Sequence, residues 1–184
     1  MFKEMIGTQS VILTLDVDEL LNKKLQLIAD CGVQVVEINC CDPAILQQAR
    51  KCYPMLRIGA GNVVNMAQLE ACHRAQVDFV TSPGFVPALA QTAAIYAINY
   101  LPGVATLSEA MQAASLGYQN VRPYPADLSF CSLLNKNLPN LTLFPAEIEW
   151  ENIEHFLNLP SVAAVSMLNP ESKQLSELAS GVLV

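Results

Sequence analysis

One pattern constrains this chain more than any other. Short apolar runs alternate with stretches of helical periodicity, and the alternation repeats eight times. Residues 11–15 read as a strand. Asp18 can cap a helix running to about residue 31, with Leu20, Leu21, Leu25 and Ile28 at helical spacing, and Gly32 ends it. Residues 33–40 (VQVVEINC) form a second strand. Asp42-Pro43 opens the next helix, with Asp at the cap and Pro at the first helical position. Further strands are expected at 57–61, 78–81, 99–101, 120–124, 141–144 and 162–167. The intervening helices begin at Asn65, Pro87, near Ser108, at Asp127 and at Glu151, and a last helix opens at Pro170 and is closed by Gly181. Dividing 184 residues by eight gives 23 per unit. Parallel strands need crossover connections, and helices of this length supply them. Eight such units close as a (β/α)8 TIM barrel, here an α/β fold of minimal size with short loops and one domain over residues 1–184. An open doubly wound sheet would want a glycine-rich turn after the first strand, and TLDVDEL contains no glycine.

Composition narrows the partners. Hydrophobic residues make up 52% of the chain and charged residues 15%, so a full core is assured and disorder is excluded. The net charge is −7 and the ten Lys and Arg residues are scattered, which leaves no patch able to neutralise a row of phosphates; nucleic acid is not an expected partner. The first apolar run ends at Asp16 after about five residues, too short for a secretion signal or a membrane span. So sparse a charge suggests that another subunit covers part of the surface. The six cysteines contain no CxxC pair, and Cys40 and Cys41 are neighbours on an expected strand, pointing to opposite faces. They read as reduced, mostly buried thiols of a cytoplasmic protein. His73 and His155 fall on expected helices away from any ligand spacing, so neither a metal nor a cofactor is expected.

In a barrel, chemistry sits at the C-terminal ends of the strands. The polar residues there are Asp16, Glu37, Asn39, Asn62, Ser82, Thr106, Arg122, Asp127, Glu147 and Ser166. Glu37, inside VVEIN, and Arg122, inside NVRPYP, stand out because a charge within a barrel strand must be paired or face the mouth. Two readings stay open: Glu37 as a general base with a raised pKa, or Glu37 and Arg122 as an ion pair across the interior.

Four segments in order then suggest a family: CGVQVVEIN followed by DPA, GAGNVVNMAQLEA at 59–71, FVTSPGFVPAL at 79–89, and YLPGVATLSEAMQAASLGYQNVRPYPAD at 100–127. The chain resembles the 2-keto-3-deoxy-6-phosphogluconate (KDPG) / 4-hydroxy-2-oxoglutarate (KHG) aldolases, which are Schiff-base-forming (β/α)8 lyases. The resemblance implies that Glu37 is the proton-shuttling glutamate. It implies substrate contacts from Asn62, whose position lies near the pyruvate moiety, and from the turn Ser82, Pro83 and Gly84, with Ser166 left from a phosphate site. It also implies a homotrimer.

The same resemblance places Arg122 in the slot of the Schiff-base lysine. A guanidinium stays protonated at any working pH and has no free amine to attack a ketone. None of the six lysines lies at an expected strand end. Cys41 stands where the family has a carboxylate-binding Arg, and Asn62 where it has Thr. The two phosphate-binding glycine turns read Pro145-Ala146-Glu147-Ile148 and Ala164-Val165-Ser166. Three functions follow as expectations. One is a family member without class I aldolase activity that binds a small carboxylate or serves in assembly. The second is imine-free enolisation of a 2-oxo acid with Glu37 as base. The third is an active aldolase on a pyruvate-releasing 4-hydroxy-2-oxo acid.

Overall fold

The structure, a computed structural model, describes residues 2–180. Nine strands and nine helices run through them. The strands are β1 (Val11–Leu15), β2 (Val35–Ile38), β3 (Arg57–Ala60), β4 (Phe79–Thr81), β5 (Tyr100–Leu101), β6 (Gly103–Val104), β7 (Asn120–Pro123), β8 (Thr142–Leu143) and β9 (Val165–Leu168). The helices are α1 (Phe2–Ile6), α2 (Leu21–Asp30), α3 (Pro43–Cys52), α4 (Met66–Ala75), α5 (Pro87–Ile95), α6 (Leu107–Ser115), α7 (Leu128–Asn137), α8 (Ile153–Leu157) and α9 (Ser172–Ala179), and a 3-10 turn (Trp150–Asn152) leads into α8. All strand pairs are parallel. One sheet has the order β5-β4-β3-β2-β1-β9 and the other β6-β7-β8.

Local chemistry explains most boundaries. The Asp42 carboxylate accepts from Ala44 N–H at 2.8 Å, the Asn65 side chain from Gln68 N–H at 3.0 Å, and Asp127 from Phe130 N–H at 2.9 Å. Each satisfies a donor that a helix start leaves unpaired. Thr106 and Glu109 form a reciprocal capping box at the start of α6. Asp18 is not the cap of α2: its carboxylate bonds Leu20 N–H, and the helix begins at Leu21. The last helix starts at Ser172 behind Glu171, two residues later than Pro170 suggested, and its expected closure at Gly181 lies outside the described residues.

A single eight-stranded ring was expected, and the described strands instead form a six-stranded and a three-stranded sheet. Pro102 has no N–H to donate and divides the fifth strand into β5 and β6, which is where the two sheets part. The final expected strand also shrinks. Val162 makes only an isolated bridge to Leu143, and β9 begins at Val165. Backbone bonds still pass from Leu143 N–H to the Ser161 carbonyl (2.8 Å) and from Ser166 N–H to the Pro145 carbonyl (2.8 Å).

The side chains of β1 alternate between two cores. Val11, Leu13 and Leu15 pack outward against the helices, whereas Ile12 joins Val35, Phe79, Leu101, Phe144 and Ala164 in a second, inner core. α1, too short to leave a periodic signal in the sequence, closes the floor of that inner core. Phe2 meets Phe79 edge-on at 5.2 Å and Phe144 at 4.9 Å between ring centroids. Gly59 makes the room: a Cβ there would sit 2.2 Å from the Phe79 ring.

Candidate functional site

Above the aromatic floor the strands turn polar. Glu37 is 1% exposed and Arg122 6%. Arg122 Nη1 donates to Glu37 Oε1 at 2.8 Å, to Glu37 Oε2 at 2.6 Å and to Thr81 Oγ1 at 2.8 Å. Glu37 lies on β2, Thr81 on β4 and Arg122 on β7, so this cluster joins the two sheets across the inner space. Neither charge could be buried alone; together they meet the desolvation demand. Among the described residues all of these bonds leave Nη1. The buried side-chain atoms without a partner are Thr14 Oγ1 and Ser161 Oγ, and no guanidinium nitrogen is among them. The Nε–Nη2 edge of Arg122 makes no hydrogen bond among the described residues. Two donors in that fork match a carboxylate.

The rest of the rim is held by local bonds. Asp16 accepts from Asn39 Nδ2 and from Asn169 Nδ2, each at 2.8 Å, and ties together the ends of β1, β2 and β9. Gly61 lies beneath: a Cβ there would be 2.4 Å from Asn39 Oδ1 and 2.7 Å from Glu37 Oε1. The Ser82 hydroxyl donates to the Gly84 carbonyl at 2.7 Å and shares a 2.6 Å hydrogen bond with the Tyr100 hydroxyl. Burial pushes Tyr100 up to about 12. Ser82, Pro83 and Gly84 thus shape a turn. Ser166 accepts from Glu147 N–H at 3.1 Å, and Glu147 adopts a left-handed backbone (φ 57°) that glycine tolerates best. The Glu147 carboxylate beside Tyr124 raises the phenol above its ordinary value. Asn62 is exposed, also left-handed (φ 59°), and outside the Glu37–Arg122 cluster. Thr106 and Asp127 are helix caps.

The structure brings Glu37 and Arg122 together as the sequence suggested and adds two hydroxyls, Thr81 and Thr14. Thr14 is the register partner of Glu37 on β1 and faces the same way, fully buried. A buried hydroxyl without a partner costs about 1–3 kcal/mol. Thr14→Val is accordingly expected to stabilise the protein by about 1 kcal/mol, a rise in melting temperature of about 2–4 °C. A fall in melting temperature would show that the hydroxyl is satisfied.

The six lysines carry the second observation. Lys3, Lys23, Lys24, Lys51, Lys136 and Lys173 all lie on helices, and none is buried. No lysine amine reaches the cluster. The cysteines correct one expectation: β2 stops at Ile38, so Cys40 and Cys41 sit in the following loop, and only Cys72 and Cys131 are buried. All six are free thiols. His73 stacks on Tyr96 at 4.6 Å, and both histidines are exposed. No cluster of three or more His, Cys, Asp or Glu among the described residues could hold a metal. No described helix is long and apolar enough to cross a membrane.

Parallel strand–helix units with a buried carboxylate and its cation at the strand ends define an α/β scaffold of the TIM-barrel-like kind. The family model "KDPG and KHG aldolase" matches residues 5–176, and the chain belongs to that family. It is 32% identical over 117 residues to the 2-dehydro-3-deoxy-phosphogluconate aldolase of Pseudomonas aeruginosa, covering 61% of this chain and 53% of that protein. It is 33% identical over 100 residues to the KHG/KDPG aldolase of Escherichia coli, covering 52% of this chain and 46% of that one. The matched region thus spans about half the length of each relative. A crystal structure of the KDPG aldolase from Legionella pneumophila, with pyruvate captured as a covalent carbinolamine intermediate, superposes with a TM-score of 0.88 at 25% identity, covering 99% of this chain and 98% of that one.

Proposed function

We propose that this chain is an aldolase-family (β/α)8 barrel that binds a small carboxylate, a 2-oxo acid such as pyruvate, through Arg122 and does not form an imine with it. The carrying observation is the Arg122 side chain itself, with Nη1 fixed by Glu37 and Thr81 and its Nε–Nη2 edge making no hydrogen bond among the described residues. A fork with two donors grips a carboxylate, and a group that never deprotonates cannot attack a carbonyl carbon. The placement of all six lysines on helices supports the same reading. Both Glu37 oxygens accept from Arg122, so neither is left unpaired to take a proton from a ligand. Binding is therefore favoured over imine-free enolisation. Glu147, at the turn where the resemblance puts a phosphate cradle, disfavours a phosphorylated substrate. In this reading the two sheets wall one barrel over residues 1–184, and the protein is a cytoplasmic homotrimer.

Calorimetric titration with pyruvate, and with pyruvamide as its neutral analogue, tests the proposal. Pyruvate is expected to bind saturably. Pyruvamide should bind at least about tenfold more weakly, because it lacks the charged oxygen that two guanidinium donors would engage. Borohydride added with pyruvate is expected to leave the intact mass unchanged. Equal binding of the amide, or a reduced adduct on any lysine, would overturn the reading.

A further inference from the structure

We propose that the N-terminal ends of β3 and β4 carry a second binding site, for a small organic phosphate monoester, held by Arg50, Lys51 and Arg57. A cavity of about 450 Å³ opens there, lined by these three side chains, by Asp78 and by the loop 54–56. Arg50 and Lys51 stand in the last turn of α3, Arg57 is the first residue of β3, and Asp78 directly precedes β4. Thr81, which bonds Arg122, ends β4. The cavity therefore lies at the opposite end of that strand from the Glu37–Arg122 cluster.

Three cations around one cavity are a concentration of positive charge in a chain of net charge −7 with ten Lys and Arg in all. The one carboxylate in the wall is already engaged. Asp78 Oδ2 accepts from Ile58 N–H at 2.8 Å, and Oδ1 is 3.6 Å from Arg50 Nη2. Among the described residues, Lys51 and Arg57 form no ion pair. A helix C-terminus favours cations, which accounts for Arg50 and Lys51. It does not account for Arg57, which comes from the following strand and brings a third charge to the same cavity.

Three cations less one carboxylate leave two positive charges, close to what a phosphate monoester carries with opposite sign near neutral pH. A carboxylate ligand would meet only half of that. The guanidinium forks of Arg50 and Arg57 and the compact ammonium of Lys51 are the donors that suit phosphate oxygens. Pro54 and Met55 add an apolar wall for the organic group. Met55 is 85% exposed, and its flexible thioether can fold over such a group. The volume falls in the range of about 300–1,000 Å³ usual for small-molecule sites.

Calorimetric titration of the intact protein with phenyl phosphate at low salt tests this, with phenyl sulfate as the singly charged analogue of like shape. Phenyl phosphate is expected to saturate at a single site per chain. Phenyl sulfate should bind at least about fivefold more weakly, since it brings one negative charge in place of two. Arg57→Ala should weaken phenyl phosphate at least about tenfold, and Lys51→Ala about fivefold. Both variants should keep the melting temperature of the unaltered chain, because neither side chain has an ion-pair partner to lose. Affinity should be the same with and without excess pyruvate. The proposal fails if phenyl phosphate does not saturate below about 10 mM. It also fails if both variants bind as the unaltered chain does, or if phenyl sulfate binds equally well. Competition by pyruvate would place the phosphate at Arg122 and overturn it too.

Discussion

Arg122→Lys is expected to switch on covalent capture of pyruvate. The unaltered chain should give no adduct with pyruvate and borohydride, and the variant should give a reduced adduct located at position 122 on the tryptic map. The introduced amine would stand beside Glu37 in the inner space and keep one positive charge against the carboxylate. Unlike a guanidinium, an ammonium can release its proton, and Glu37 is placed to take it. The free amine can then attack the carbonyl carbon, expel water and form the iminium that borohydride reduces. Adduct formation should fall again in the double variant with Glu37→Gln, which removes the proton acceptor and leaves the amine. No adduct from Arg122→Lys would mean that position 122 is not where an imine can form in this barrel. An adduct in the unaltered chain would instead refute the proposed function, so the two outcomes separate.

Removing one member of the buried pair should be the most destabilising change at the site. Glu37→Leu leaves the Arg122 charge enclosed, with only Thr81 to bond it. Such an uncompensated charge costs about 3–5 kcal/mol. For a chain of this size that corresponds to a melting temperature lower by about 10 °C. Pairing Glu37→Leu with Arg122→Met should restore most of the loss, because two apolar side chains of similar bulk no longer carry a desolvation cost. Thermal melts of the two single variants and the double variant close the cycle. Additive losses would show that the two charges do not depend on each other.

Much of this could be read from residue types because the relevant physics is local or severe. Asp42, Asn65 and Asp127 announced three helix starts, since a short polar side chain before a periodic apolar stretch has one strong use. The Glu37–Arg122 contact was legible as one of two readings because an unpaired charge on a buried strand is too costly to leave standing. What escaped notice carries weak local signals. Thr14 and Thr81 are ordinary strand formers, and nothing about a threonine reveals whether its hydroxyl faces a helix or a guanidinium. α1 has only five residues, below any periodicity test, and its role depends on Phe79 and Phe144, distant in the chain. The polar turn residues Ser82 and Ser166 were expected to contact substrate. Their hydroxyls bond the protein's own turns, a choice fixed by loop geometry that no single segment encodes.

The distribution of lysines has a practical consequence for the bench. Every lysine amine among the described residues belongs to the outer helical shell, so reagents that couple to amines will decorate the outside and spare the inner cluster. Sensor-chip immobilisation, biotin tagging or fluorophore attachment through lysine should therefore leave Arg122 and Glu37 chemically untouched. The same property makes reductive amination a clean reporter. Background labelling falls on peptides from the helices, and any signal from strand β7 stands apart from it.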